Sequence, residues 1–332
     1  MVIFMTCNKF GLTEAQKVPA VFMFGDSYGD TGNNDFITTL VKANFLPYGR
    51  DFNDHIPTGR FSNGKLMSDY FAEGLGIKES LPPYLDPKLQ HLELPTGVCF
   101  GSAGTGLDNL TAQILGVIPF WKQIDHFKDY KKKLVGLVGE EQATTILEAA
   151  IFFSVIGTND FSANYYLVPI RPFQFTIQQY TYFLLGIYRD YIMELYNLDA
   201  RRIAVINVPP LGCLPLERTI GFFISKGACV EERNVAAAGF NTGLNAMILD
   251  LKSALHDIRI VTLDYNNLIS EFILNPSKYG FEVVAQGCCG TGTFEVAFLC
   301  NKLTPFTCLN VSKYVFFYAI HLTQRAYKII SN

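Results

Sequence analysis

The sequence predicts an α/β protein with a central parallel sheet of about five strands and helices on both faces. Short, continuous apolar runs recur along the chain, each run stops at turn residues, and helical periodicity follows. Strands that are apolar along their whole length need cover on both faces, which parallel sheets receive from their helices. Ligands of such sheets bind beyond the carboxyl ends of the strands, so functional residues are expected just after each run.

Five runs fit buried strands, and three longer segments fit helices. The predicted strands are residues 18–25, 97–101, 150–156, 202–208 and 258–263. The clearest predicted helices are residues 176–196, 231–256 and 313–330. Because no repeat or low-complexity linker interrupts this pattern, residues 18–332 are predicted to form a single domain. The apolar stretch within residues 1–17 is short and has no basic residue before it, so this segment is interpreted as a signal-peptide remnant.

The composition argues against several classes of partner. The 27 basic and 30 acidic residues give a net charge of −3, and no basic stripe offers a surface for nucleic acid or an anionic membrane. No apolar run reaches the length of a membrane span, so stable membrane insertion is not expected. Phosphate loops, dinucleotide fingerprints and metal triads are also lacking in the sequence, and we expect no cofactor, no metal and a monomeric protein.

Eight cysteines favour disulfides over a zinc site. The adjacent pair Cys288 and Cys289 does not match the spacing of zinc ligands. A bridge between Cys213 and Cys229 across a loop is predicted, with one or two more among the four cysteines of residues 288–308, whose three pairings stay open. Glycosylation sequons at Asn109 and Asn310 favour the same route, so a secreted glycoprotein is predicted.

Ser27 is the candidate nucleophile, because it directly follows the first predicted strand in Gly25-Asp26-Ser27. Glycines on both sides permit a sharp turn, and a helix following the serine would direct its positive dipole end at the hydroxyl. The G-x-S-x-G pattern of Gly25–Gly29 matches the α/β-hydrolase elbow, but that elbow needs several preceding strands and only 26 residues precede Ser27. A serine that merely caps a helix is the structural alternative. Asp26 is expected to bond backbone N–H groups of the turn.

Further blocks follow Ser27 in a fixed order. They are Asp30-Thr31-Gly32-Asn33-Asn34, residues 59–65, residues 97–106, Gly157-Thr158-Asn159-Asp160, residues 209–213, residues 275–290 and the segment around His321. Together they resemble the plant GDSL esterase/lipase family of the SGNH hydrolase superfamily, from about Pro19 onward. This resemblance implies a three-layer α/β/α, flavodoxin-like SGNH-hydrolase fold and a serine hydrolase that forms an acyl-enzyme on Ser27.

Three oxyanion-hole donors follow from the same comparison. The backbone N–H of Ser27 is the first, and the resemblance assigns the second to the side chain of Asn159, which otherwise suits a turn. The third is a backbone N–H in a block that resembles Phe-Ala-Ser-Gly-Gly. Here that block has Ala103 where a glycine is expected, so the donor is either Ala103 or Gly104, and Gly104 is preferred.

His321 is the predicted base among five histidines, because its segment resembles Asp-x-x-His-Pro-Thr of the family. Two departures stand out. Tyr318 occupies the position of the triad aspartate, and Leu322 replaces the proline. Residues 301–332 contain no Asp or Glu that could take over. Since the acid fixes the imidazole tautomer and stabilises the imidazolium, a weakened site is predicted.

The predicted function is therefore a carboxylic ester hydrolase of GDSL type that acts on a small-molecule or lipid acyl ester. Two alternatives stay open: an acyltransferase that uses the same serine and histidine, and a non-catalytic protein that retains the pocket for binding. The retention of Ser27, Asn159 and His321 favours catalysis, whereas Tyr318 favours the binding protein.

Overall fold

A four-stranded parallel sheet forms the centre of the protein. The computed structural model describes residues 18–168 and 170–332, so the interpreted signal-peptide remnant, with Cys7, lies outside the described residues. The strands lie in the spatial order β1-β2-β3-β4, with β1 at Val21–Gly25, β2 at Ile151–Val155, β3 at Arg202–Ile206 and β4 at Arg259–Leu263. All three pairings are parallel. Four of the five predicted strands are thus confirmed.

The remaining predicted strand, residues 97–101, is wrong as a regular strand, although the segment lies beside β1. Cys99 forms single parallel bridges with Met23 on one side and Pro83 on the other. A strand cannot extend there because Gly97 adopts φ +90° and approaches β1 closely, so that a Cβ would meet the Val21 carbonyl oxygen at 1.9 Å. The segment still occupies the outer side of β1. If residues 97–101 are counted as the second strand along the chain, the five strands lie in the spatial order 2-1-3-4-5. This is the flavodoxin-like order, with its switch point beside β1.

Ten α-helices cover this sheet in the described part of the chain. They are α1 Met67–Gly74, α2 Asn109–Leu115, α3 Phe120–Val138, α4 Glu140–Ala149, α5 Ile177–Asn197, α6 Pro215–Ile220, α7 Phe222–Ser225, α8 Glu231–Ala254, α9 Tyr265–Leu274 and α10 Gln324–Ile330. α5 and α8 confirm two of the predicted helices. β1 is buried along its whole length, and β2 and β3 are buried beyond their first residues. Such strands are covered on both faces, which confirms the α/β class.

The predicted helix over residues 313–330 is wrong in its first half. Strand β6, Tyr314–Phe316, pairs in parallel with β5, Val283–Gly287, and neither strand was predicted. A turn follows, closed by the Phe317 N–H that donates to the carbonyl oxygen of His321 at 2.7 Å. Residues 315–319 are all buried, so their apolar run has no solvent face and does not fit a surface helix. α10 begins only at Gln324, after the capping residue Thr323.

Three disulfides confirm the predicted oxidised framework. Cys213 pairs with Cys229, as predicted, and the later cluster pairs as Cys288–Cys308 and Cys289–Cys300. The later two bridges brace β6, because the N–H of Cys288 donates to Phe316 and that of Cys289 to Phe317. Within residues 18–168 and 170–332, no helix combines the length and apolarity needed to cross a bilayer.

Candidate active site

Ser27 lies in a single tight turn directly after β1. The Asp26 carbonyl oxygen accepts the N–H groups of Gly29 at 3.1 Å and Asp30 at 3.0 Å, and the Asp26 carboxyl accepts the Tyr28 N–H at 3.0 Å. The expected bonding of Asp26 to the turn is therefore observed. Burial raises the pKa of Asp26 to about 8. Its carboxyl is therefore largely neutral at pH 7 and places no full negative charge beside the serine.

The helix predicted to start at Ser27 is wrong. After one turn the chain opens, and only a short 3₁₀ helix follows at Asn33–Phe36. The carboxylate of Asp30 accepts the N–H groups of Gly32 and Asn33, each at 2.8 Å, which draws the backbone out of a helical path. No α-helix dipole therefore contributes at Ser27, and local N–H groups must supply any polarisation.

A buried glutamine fixes the peptide before this turn. The N–H of Gly25 donates to Gln123 Oε1 and the Gly25 carbonyl accepts from Gln123 Nε2, both at 2.8 Å. Gly25 adopts φ +120°, and a Cβ there would meet the Val155 carbonyl oxygen at 1.8 Å, so only glycine fits. Gln123 lies on α3, 98 residues away. No local sequence pattern links Gln123 to Gly25, so this contact could not be predicted from the sequence.

The loop of residues 102–104 lies against the serine turn, and the two alternatives for its donor differ in hydrogen bonding. The Ala103 N–H donates to the Asp30 carboxylate at 2.9 Å. The Gly104 N–H, at φ +86°, meets no acceptor within the described ranges. Asn34 secures the loop, since its amide donates to the Ala103 carbonyl at 2.9 Å and its oxygen accepts from Ser102 Oγ at 2.6 Å. Of the two N–H groups, only that of Gly104 is free for a ligand.

Asn159 follows β2 and faces the same cavity. Its amide donates one hydrogen to the Thr105 carbonyl at 2.9 Å, which leaves a second amide hydrogen for a ligand. The neighbouring Asp160 carboxyl accepts from the N–H of Leu107 at 2.8 Å and from Thr111 Oγ1 at 2.7 Å. Asp160, which the sequence analysis did not single out, thus joins the loops that follow β2 and residues 97–101.

His321 meets Ser27 across 294 sequence positions. The imidazole Nε2 lies 2.6 Å from Ser27 Oγ. The ring is 3% exposed, and its Nδ1 is buried with no hydrogen-bond partner among the described residues. Burial lowers the pKa of His321 to about 3, because no charged group of the described residues offsets the desolvation of a buried imidazolium. The neutral imidazole therefore predominates far below neutral pH.

Tyr318, at the position of the family's aspartate, stacks on the imidazole instead of bonding to it. The two ring centroids are 5.0 Å apart at an interplanar angle of 28°. Burial raises the pKa of Tyr318 well above its usual range, so the phenol is neutral. The Tyr318 hydroxyl does not form a hydrogen bond with His321 Nδ1. No described carboxylate therefore takes the place of the family's aspartate beside His321.

Residues 59–65 hold the segment that carries the histidine. Ser62 Oγ donates to the Leu322 carbonyl at 3.0 Å, and Asn63 Oδ1 accepts the Gln324 N–H at 2.9 Å. Arg60 anchors the block through a buried pair with Asp69, with Nη2 to Oδ1 at 2.7 Å. A block without evident chemistry in the sequence thus fixes the residues that directly follow the base, Leu322 and Gln324.

A cavity of about 170 Å³ is lined by Ser27, Gly104, Asn159, Tyr318 and His321. Every predicted site residue is therefore brought together. The other lining residues are mostly apolar, among them Leu115, Leu167, Leu216, Ile220 and Val296. No group of three or more His, Cys, Asp or Glu side chains suited to a metal occurs in the described part of the chain. The arrangement offers a hydroxyl and an adjacent base beside mostly apolar side chains. It also offers three donors that have no acceptor among the described residues: the N–H groups of Ser27 and Gly104 and the second amide hydrogen of Asn159.

Comparisons with known proteins identify the family of this chain. The family model of the GDSL-like Lipase/Acylhydrolase family matches residues 21–332. GDSL esterase/lipase At4g26790 of Arabidopsis thaliana is 44% identical over 327 residues, covering 98% of this chain and 91% of the relative. GDSL esterase/lipase At2g04570 of the same plant is 41% identical over 331 residues, covering 100% of this chain and 94% of the relative. These matches confirm the predicted resemblance and the predicted class of enzyme, a carboxylic ester hydrolase of GDSL type. The chain belongs to the GDSL-like lipase/acylhydrolase family.

Proposed function

We propose that the protein hydrolyses carboxylic esters through an acyl-enzyme on Ser27, with His321 as the only ionisable partner of the serine among the described residues. The observation that carries the proposal is the 2.6 Å contact between Ser27 Oγ and His321 Nε2, two residues that line the cavity. Nδ1 then carries the proton of the neutral ring, because a base must present an unprotonated Nε2 to the hydroxyl.

The reaction proceeds in two transfers. Ser27 Oγ attacks the ester carbonyl while its proton passes to Nε2, and the resulting oxyanion accepts hydrogen bonds from the N–H groups of Ser27 and Gly104 and from the Asn159 amide. The carbon–oxygen bond to the alcohol then breaks, and the alcohol leaves with the proton from Nε2. Water attacks the acyl-enzyme in the same way, and the acid departs as the proton returns to Ser27.

The missing acid sets the expected rate. A triad acid stabilises the imidazolium that forms in each transfer, and no described carboxylate bonds to Nδ1 here. We expect slow turnover for this reason. The orphaned Nδ1 is also the observation that favours the second candidate, a ligand-binding protein without turnover.

The cavity supports an acyl ester as the substrate class. Its apolar residues, including Leu115, Leu216 and Val296, suit the acyl chain, and Ser27 lines the same cavity. Three disulfides support secretion, since such bonds persist in oxidising compartments. Asn109 and Asn310, the two sequon residues, are both exposed and accessible to glycosylation. The protein acts as a monomer in this proposal.

A fluorophosphonate probe tests the proposal directly. The wild-type protein is expected to be labelled on Ser27, because the probe reacts only with a serine that an adjacent base activates. Ser27→Ala should abolish labelling, whereas Ser154→Ala, which removes a buried serine of β2, serves as a matched control and should leave labelling intact. Labelling is read by gel fluorescence and located by peptide mass spectrometry. An unlabelled wild-type protein with intact fold would favour the ligand-binding alternative.

The pH dependence of the hydrolase follows from the burial of His321. An exposed histidine would lose half its base function near pH 6.5, but the pKa of His321 is lowered to about 3. We therefore expect kcat/KM to stay constant from about pH 7.5 down to about pH 5, because the imidazole remains neutral over that interval. Initial rates on a p-nitrophenyl ester, with product read after alkaline quenching, measure this. An acid limb centred near pH 6.5 would contradict the prediction.

A further inference from the structure

We propose that Tyr28 and Tyr318 are positioning residues whose rings pack on the imidazole of His321 and hold it in place of the missing acid. We call these two rings the aromatic clamp. The inference rests on the proposed function, because it assigns a role to residues around the Ser27–His321 pair. It addresses how a histidine with an unpartnered Nδ1 keeps its Nε2 directed at the serine.

Tyr28 connects the nucleophile to the base. It follows Ser27 in the chain, and its ring lies 4.5 Å from the His321 ring, centroid to centroid, at an interplanar angle of 38°. Its hydroxyl donates to the carbonyl oxygen of Ile320, the residue before His321, at 3.4 Å. Tyr265 holds Tyr28 in turn by an edge contact at 5.5 Å. Movement of the imidazole away from Ser27 would therefore have to displace a buried ring attached to the nucleophile turn.

Tyr318 supplies the second ring of the clamp. Its centroid lies 5.0 Å from that of His321, and the two rings are nearly parallel at 28°. Tyr48 packs on Tyr318 edge to face at 5.7 Å and is itself fixed by a hydrogen bond from its hydroxyl to the Ala297 carbonyl at 2.9 Å. Tyr318 is only 2% exposed, so its ring has little freedom to leave the imidazole.

Tyr318 departs from the family pattern, because it stands at the position of the aspartate. The buried rings of Tyr28 and Tyr318 both pack on the same imidazole, which points to a shared role. The faces of aromatic rings also attract a cation, so the clamp favours the imidazolium that forms during each proton transfer.

Substitutions that remove a ring or only a hydroxyl separate the clamp from simple packing. Tyr28→Met and Tyr318→Met keep most of the volume but lose the ring, and we expect each to lower kcat about tenfold with KM changed less than about threefold. Tyr28→Phe and Tyr318→Phe keep the ring and are expected to retain kcat within about threefold of wild type. kcat and KM are measured on p-nitrophenyl butyrate.

Tyr130→Met is the matched control, because Tyr130 is another fully buried tyrosine whose hydroxyl donates to a backbone carbonyl, that of Leu94. It should lower Tm as the clamp variants do but leave kcat unchanged. Methionine variants of the clamp that lose no more kcat than Tyr130→Met would overturn the clamp. A loss of more than about tenfold in either phenylalanine variant would also overturn it, since a hydroxyl would then carry the effect, and this readout remains if a methionine variant fails to fold. Absence of probe labelling in the wild-type protein would instead reject the proposed function itself.

Discussion

His321→Ala is expected to lower kcat for p-nitrophenyl butyrate by about a thousandfold, with KM nearly unchanged. The substitution removes the only described group in contact with Ser27 Oγ that can accept its proton. In subtilisin, a protease with a complete triad, loss of the base lowers kcat by a factor of about 10⁶. The smaller factor expected here reflects a wild-type rate that the missing acid has already reduced. Stopped assays at high enzyme concentration measure the residual rate.

A histidine elsewhere provides the control for this result. His126→Ala removes a partly buried imidazole of α3 that packs near Tyr84, with ring centroids 5.9 Å apart. Its kcat should equal that of the wild type. If His321→Ala retained more than about a tenth of the wild-type kcat, His321 would not be the base, and the nucleophile would need another activator.

Tyr318→Asp is expected to raise kcat by about ten- to a hundredfold. A carboxylate at this position can accept a hydrogen bond from His321 Nδ1, which now has no partner, and can stabilise the imidazolium. The loss of about 10⁴ recorded when the acid of an unrelated protease is neutralised sets an upper bound, because removing the stacked ring works against the gain. Tm should fall, since a buried ring is replaced by a smaller polar group.

The variant Tyr318→Asn separates the effect of charge from that of size, because asparagine is isosteric with the aspartate of Tyr318→Asp. It should give none of the gain, because an amide leaves the imidazolium without a counter-charge. The aspartate should also raise the pKa of His321, so an acid limb should appear in kcat/KM at higher pH than in the wild type. Equal kcat for Tyr318→Asp, Tyr318→Asn and the wild type would mean that a missing acid does not limit the rate.

The strands of the sheet were predictable because their residues are buried on both faces, and such burial leaves a continuous apolar run in the sequence. The same signal misled the interpretation of residues 313–330. Their apolar run is also buried, but in a short strand and a turn held by partners far away in the chain, including Ser62 and Asn63. Residues 97–101 failed as a strand because the close approach of Gly97 to β1 depends on tertiary contacts that the sequence does not display.

The candidate site was predictable where ordered blocks carried it. Ser27, Asn159 and His321 each lie in such a block, and the structure brings them to one cavity. The choice between Ala103 and Gly104 needed coordinates, because it depends on which N–H the Asp30 carboxylate consumes. The contact of Gln123 with Gly25 and the stacking of Tyr28 on His321 could not be predicted from the sequence for a related reason. Each acts on a residue about 100 or more positions away, without any periodic or local signature.

The two later disulfides make the assembly of the Ser27–His321 pair depend on whether the cysteines have been oxidised. They close loops with sequence separations of 20 and 11 residues, and the backbone of Cys288 and Cys289 bonds directly to β6, the strand that leads to His321. A newly made chain whose thiols are still reduced lacks these crosslinks, so the backbone that delivers the imidazole has more freedom to lose on folding. We therefore expect oxidation of these four cysteines to favour the fold that brings His321 to Ser27.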